Sequence, residues 1–306
     1  MDIDRRSFVK GSAGMVGGLA IGGVAVGQDD ELIRIGSDIP YKPFEYRNEQ
    51  GALVGFDVDI AEAVFAEQMD REYEFVQTGF DTIIPSLING NFRIIMSAMT
   101  INDQRAEQVD FSDPYFVAFQ TVAILEGSDV QSLEDLRGQT VAVQKGTTGE
   151  AAAQELQEQF DSELTIDSYD QIPGAFSALL NAQAVAVIND NAVNLQYVED
   201  RDNIVMLEGE GEAAEQFENA PPYLTLTVER YGIAFRQDDD EFREQVNEAL
   251  AAVIESGTYE EIYSEYFPGD PPTSILEGGQ ETTTAGTTTA DGDGGMADDE
   301  TTTEDG

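Results

Sequence analysis

The chain of 306 residues contains no cysteine, no histidine and no tryptophan, and only three of its fifteen basic residues are lysines, Lys10, Lys42 and Lys145. Without cysteine there can be no disulfide, thiolate metal site, cysteine nucleophile or lipid-modified cysteine anchor. Without histidine the commonest general base and metal ligand is missing, so the chain is poorly equipped for ordinary catalytic chemistry. One stretch, Asp291-Gly292-Asp293-Gly294, has the start of a calcium loop, but Gly295 stands where a third ligand belongs and Thr302 where a bidentate glutamate belongs. No metal and no cofactor is expected.

Acid is abundant instead. Sixty-one Asp and Glu against fifteen Lys and Arg give a formal net charge of -46, a field that repels nucleic acid and anionic lipid surfaces. Acidic runs such as Asp238-Asp239-Asp240-Glu241 recur along the chain, a pattern of proteins adapted to high salt, where carboxylates keep the surface hydrated and counterions screen self-repulsion. Apolar residues at 41% suffice for the cores of two ordinary domains.

The two ends differ from the middle. Asp4-Arg5-Arg6-Ser7-Phe8-Val9-Lys10 precedes an uncharged glycine-rich stretch, 11–27, with small residues at Ala25 and Gly27. Residues 1–27 therefore predict a secretory signal of the twin-arginine type, cut after Gly27. An uncleaved anchor is the alternative, although the stretch is short of the ~20 apolar residues of a membrane span. Either way the bulk of the chain is expected outside the cytoplasm. From about Gly278 the sequence collapses to Thr, Gly, Asp and Glu, which predicts a disordered tail over 271–306.

Between them, short β-rich runs alternate with helical ones, the signature of parallel sheets covered by helices. Strands are expected at 32–37, 72–77 and 93–98, with helices over 57–69, 81–89 and from about 103. A second set follows: a capped helix start at Ser132, strands at 139–144, 164–167 and 184–188, and helices over 147–160, 173–181 and after Asp190. A strand over 230–236 leads to a helix with Phe242, Val246, Leu250, Val253 and Ile254 on one face. A last helix stacks Tyr259, Ile262, Tyr263, Tyr266 and Phe267, read as core stripe rather than ligand cage.

The order of motifs carries a resemblance. Gly36-Ser37-Asp38-Ile39-Pro40-Tyr41-Lys42-Pro43-Phe44-Glu45, Gly55-Phe56-Asp57-Val58-Asp59, Phe80-Asp81-Thr82-Ile83-Ile84-Pro85, Met99-Thr100-Ile101-Asn102-Asp103-Gln104-Arg105, Asp110-Phe111-Ser112-Asp113-Pro114-Tyr115, Gln144-Lys145-Gly146-Thr147-Thr148-Gly149 and Gly257-Thr258-Tyr259 are together similar to the polar amino-acid binding proteins of ABC importers, a branch of the type 2 periplasmic-binding-protein-like family. That resemblance implies a two-lobed α/β fold with one discontinuous lobe: 31–117 and 230–270 as lobe 1, 118–229 as lobe 2, with crossings near 117–122 and 226–230. The ligand would lie in the interlobe cleft, buried by hinge closure. Implied partners are a small amino acid, an ABC permease and its ATPase, with the binding protein acting as a monomer.

The resemblance also implies a site, and the residue chemistry fits. Arg105, following Thr100, offers a guanidinium for two parallel bonds to an α-carboxylate. The turn carrying Thr147 and Thr148 offers backbone N–H groups and a helix N-terminus to the same carboxylate. Asp190 would take the ammonium, although an N-cap role explains an Asp there about as well; Ser97 and Ala98 match positions that give backbone oxygen to it. Asp38, Tyr41 and Phe80 would line the side-chain pocket with Gln144 and Asn189 nearby. With no Lys or Arg at these positions, an acidic ligand would leave Asp38 facing like charge, so glutamine or a cationic amino acid is favoured. Two alternatives stay open: a ligand sensor for a signalling partner, and a dehydratase of prephenate-like acids, since one fold hosts several functions.

Overall fold

The computed structural model describes residues 32–217 and 220–277. The expected signal and nearly all of the expected tail lie outside the described residues. The described chain does continue past residue 270, because Thr273–Leu276 forms a short helix that buries Ile275.

The first part of the chain supplies β1 (Ile33–Ser37), the small hairpin β2 (Tyr46–Arg47) and β3 (Leu53–Val54), helix α1 (Phe56–Ala61), β4 (Tyr73–Gln77), helix α2 (Phe80–Ile88), β5 (Ile94–Ile95), helix α3 (Asp103–Ala106) and β6 (Asp110–Phe111). Then comes β7 (Phe116–Leu125), followed by β8 (Thr140–Gln144), α4 (Thr148–Gln159), β9 (Thr165–Tyr169), α5 (Ile172–Leu180), β10 (Ala186–Asp190), α6 (Asn191–Asp200), β11 (Ile204–Met206) and α7 (Glu212–Gln216). β12 (Thr225–Tyr231), β13 (Ala234–Phe235), α8 (Asp240–Glu255), α9 (Thr258–Tyr266) and α10 (Thr273–Leu276) close the order.

Two main sheets result, one per lobe. The first runs β4-β1-β5-β13-β6, and the second β11-β7-β10-β8-β9 with β12 also on β7. Residue pattern explains the centre of each. β8 and β10 are buried along nearly their whole length, as strands covered by helices on both faces must be. β1 has the same character with only Arg34 turned out. The chain passes between sheets twice, from β6 into β7 and from β12 into β13, and β7 and β12 pair antiparallel from Phe116↔Tyr231 to Thr121↔Thr225. These paired strands form a two-stranded strap between the lobes. Its root on the lobe 1 side is packed with rings: Phe116 lies 4.8 Å from Phe267, 5.1 Å from Phe44 and 5.3 Å from Tyr231 between centroids. Deleting one such ring costs about 3–5 kcal/mol, so the strap is anchored on a stiff base.

Local differences from the sequence expectation have physical causes. The run expected as one helix over 57–69 is α1 followed by a π-helical segment, Glu62–Gln68. The wider turn narrows the arc that three consecutive buried residues, Ala63, Val64 and Phe65, must cover on the core side. The strand expected over 230–236 is cut in two, because residues up to Tyr231 pair with β7 in the second sheet while Ala234 and Phe235 pair in the first. The cut falls at Gly232, where a Cβ would lie 2.9 Å from Ile101. The capped start at Ser132 opens only a 3-10 turn, Leu133–Leu136, though its reciprocal Ser132–Asp135 capping box is formed. In α9, Tyr259 and Tyr263 are buried, with Ile262, Tyr266 and Phe267 packed against the same core.

Candidate ligand-binding cleft

Between the lobes lies a small cavity lined by Asp38, Tyr41, Phe80, Ser97, Ala98, Thr100, Arg105, Gln144, Thr147, Thr148 and Asp190. Eleven of the twelve residues expected from sequence therefore face one space. The twelfth, Asn189, stands behind Tyr41 and Asp190, its Oδ1 3.0 Å from the Tyr41 hydroxyl oxygen.

The lobe 1 wall is built at the C-terminal ends of β1 and β5 and on α3. Arg105 is held by its own turn. Asn102 caps α3 by accepting from the Arg105 backbone N–H at 2.9 Å, and the guanidinium donates to the Thr100 carbonyl at 2.8 Å and to the Gly146 carbonyl of the other lobe at 3.4 Å. Its Cζ lies 5.2 Å from the Phe80 ring centroid. Burial lowers the Arg105 pKa, opposed by the nearby Glu229 and Asp190 charges. Ala98 takes a left-handed conformation, φ 47°, and donates its N–H to Asp57 at 2.8 Å. Ser97 accepts from the Asp38 N–H at 2.9 Å and donates to Glu45 at 2.7 Å. Behind this floor the buried Glu45 and Asp57 carboxyls face each other. Desolvation raises both, Glu45 the further because the Asp57 charge adds to it.

The lobe 2 wall is built at the ends of β8 and β10 and the start of α4. Asp190 accepts from the Tyr41 hydroxyl at 2.6 Å, from the Tyr231 hydroxyl at 2.5 Å and from the Gln120 amide. Burial and then the Glu229 charge push it up to about 7 against these bonds. It makes no side-chain cap bond to α6 although it occupies the N-cap position, which removes capping as the reason for an Asp there. Thr147 caps α4 through Glu150, and the Gly146 N–H is taken by the Glu150 carboxylate at 2.7 Å. The donors of that turn are thus partly committed.

Asp38 is the other strong anion of the cleft. It is 2% exposed, burial pushes it up to about 6, and the amide of Gln144 from the opposite lobe donates to its Oδ2. Its Oδ1 and the Asn189 Nδ2 have no partner among the described residues. Buried polar atoms without partners are uncommon and costly; Asp38 lines the cavity, whereas Asn189 stands behind it.

Three residues important to this geometry were not anticipated. Glu229, on the strap, accepts at one oxygen from Thr100 of lobe 1 at 2.5 Å and from Thr148 of lobe 2 at 2.9 Å. Gln120, also on the strap, donates to Thr148 at 3.0 Å and to Asp190. Tyr231 completes the shell of Asp190. A signal existed for Gln120, since Gln120 and Thr121 interrupt the otherwise apolar Phe116–Leu125; Glu229 reads as an ordinary strand residue.

Comparison with known proteins agrees with this architecture. Residues 33–269 match the family described as bacterial extracellular solute-binding proteins, family 3. A probable histidine-binding protein of Neisseria gonorrhoeae is 33% identical over 82% of this chain and 85% of its own length. An ABC transporter arginine-binding protein of Escherichia coli is 32% identical over 78% of this chain and 91% of its own. The crystal structure of the arginine-, lysine-, histidine-binding protein ArtJ from Geobacillus stearothermophilus superposes with a TM-score of 0.70 at 34% identity, covering 81% of this chain and all of that one. The chain, two lobes of the type 2 periplasmic-binding-protein-like fold around a buried polar cleft, belongs to the bacterial extracellular solute-binding proteins, family 3.

Proposed function

We propose that this protein captures a cationic amino acid outside the cytoplasm by closing its two lobes, and delivers it as a monomer to an ABC permease driven by a cytoplasmic ATPase. The observation that carries the reading is a match of charges in one cavity. Arg105 answers the ligand carboxylate, Asp190 its ammonium, and Asp38, with an unpartnered oxygen, a positive side chain. Among the lining side chains Arg105 is the sole cation against two carboxylates, so a zwitterion alone leaves one buried negative charge, and such a charge is expensive unless paired. Tyr41 and Phe80 give flat faces to an aliphatic stem or guanidinium. Histidine- and arginine-binding names among the relatives support the same class.

Because the carboxylate site and the ammonium site belong to opposite lobes, the ligand binds the closed state better and shifts the population toward it. Glutamine is the second reading, supported by a glutamine-binding name among the relatives. Calorimetry against the twenty amino acids in molar salt tests the proposal: tightest binding of arginine or lysine is expected, and no response to any amino acid overturns it. Turnover of prephenate-like acids is expected to be nil.

A further inference from the structure

Lys42 and Lys145 are the two lysines of the described chain, and both are spent on the same task. Lys42 of lobe 1 pairs with Asp200 at the end of α6 in lobe 2, at 3.2 Å. Lys145 of lobe 2 pairs with Asp81 at the start of α2 in lobe 1, at 2.8 Å. Each follows directly on a residue whose side chain crosses the cleft inside. Tyr41, before Lys42, donates to Asp190; Gln144, before Lys145, donates to Asp38. Two loops, one from each lobe, therefore repeat one device: an inner, buried hydrogen bond at the ligand cavity and an outer, half-exposed ion pair at its rim.

We propose that Lys42–Asp200 and Lys145–Asp81 are paired clasps that hold the closed lobes together and slow ligand release without touching the ligand. A chain of net charge -46 brings two negative bodies together when it closes, and like charge opposes that approach. Placing the scarce ammonium groups at the two rims converts a repulsive seam into an attractive one. The Lys42 ammonium is steadied 5.8 Å from the Tyr46 ring centroid, and the Asp81 charge reinforces the Lys145 proton. Exposed pairs are weak, so each clasp adjusts affinity by only about two- to five-fold, and screening weakens it with salt.

The inference rests on the binding function proposed above, and its test separates the two. Arginine affinity and release rate are measured for the full chain and for K42Q, K145Q, D81N and K145Q/D81N, at the lowest salt that keeps the protein folded and in molar salt. Expected are about two- to five-fold weaker binding in each lysine variant through faster release, unchanged ligand preference, no further loss in the double variant, and a smaller effect in molar salt. Wild-type affinity in both lysine variants at low salt, or additive losses in the double variant, overturns the clasps. The absence of cysteine allows one introduced cysteine per lobe to carry a dye pair cleanly. Should no amino acid bind the wild type, the proposed function fails, while the clasps are read from the ligand-free closed fraction: a drop in K42Q and K145Q sustains them, and an equal fraction refutes them.

Discussion

Closure can be tested at one backbone position. Gly146 has φ 78° and sits against the other lobe: a Cβ there would lie 3.0 Å from the Asp81 Cα and 3.3 Å from its Cβ. Gly146→Ala should therefore carry two separable penalties. The left-handed conformation costs a non-glycine residue roughly 1–2 kcal/mol, in the open and the closed form alike. The contact with Asp81 exists only when the lobes meet, and overpacking of this kind costs about 1–3 kcal/mol. Only the second cost acts on binding, and at 1.4 kcal/mol per decade it predicts affinity lowered by about 5- to 100-fold. Gly138 supplies the control. It has φ 75° with nothing within 4 Å of its added Cβ, so Gly138→Ala should lower thermal stability like Gly146→Ala but leave affinity alone. Calorimetric titration with arginine and ligand-free thermal melts of both variants read the two penalties. Wild-type affinity in Gly146→Ala, or equal affinity losses in the two variants, would refute the closed geometry described here.

Arg105→Ala should weaken amino-acid binding by at least about 100-fold, the scale of losing a buried charged partner, with the ligand-free melt little changed; retained affinity in a titration contradicts the carboxylate assignment. Asp38→Asn should weaken arginine far more than glutamine, and equal losses in a competition assay would show that Asp38 does not set preference. Asp190, pushed up to about 7 by burial, should give up its proton when an ammonium arrives, so binding near pH 6.5 should release protons, as calorimetry in buffers of different ionisation enthalpy can show; proton uptake would be the wrong sign. The same raised carboxyls make the folded, ligand-free protein the better proton binder between the unfolded value near 4 and the folded values of about 6 for Asp38 and 7 for Asp190. Their contribution to stability should fall as pH rises through that window and be flat above it, which melts in a pH series can check.

Much of the architecture was legible because strand and helix periodicities are local properties. The alternation that predicts two α/β units survives in the order of β1 to β13, and boundaries mostly moved by one or two residues. Exceptions include places where local pattern serves two masters: the run 230–236 reads as one strand but divides between two sheets, and the run 57–69 reads as one helix but widens into a π turn; the ten-residue β7, expected only as a crossing, is another. For the site, Arg105, Asp190 and Asp38 were singled out through the family resemblance of the motifs around them, and the structure brings all three to one cavity.

By itself the sequence determined the inventory: no thiol or imidazole chemistry, a large negative charge, and an order of motifs that resembles one family. Only the tertiary structure decided which of these meet. Glu229 touches threonines of both lobes because β12 crosses between them, and Lys42 and Lys145 find Asp200 and Asp81 because closure sets one rim against the other. Pairings separated by 158 and 64 positions leave no local trace, since what selects them is the approach of two lobes and not the propensity of either segment.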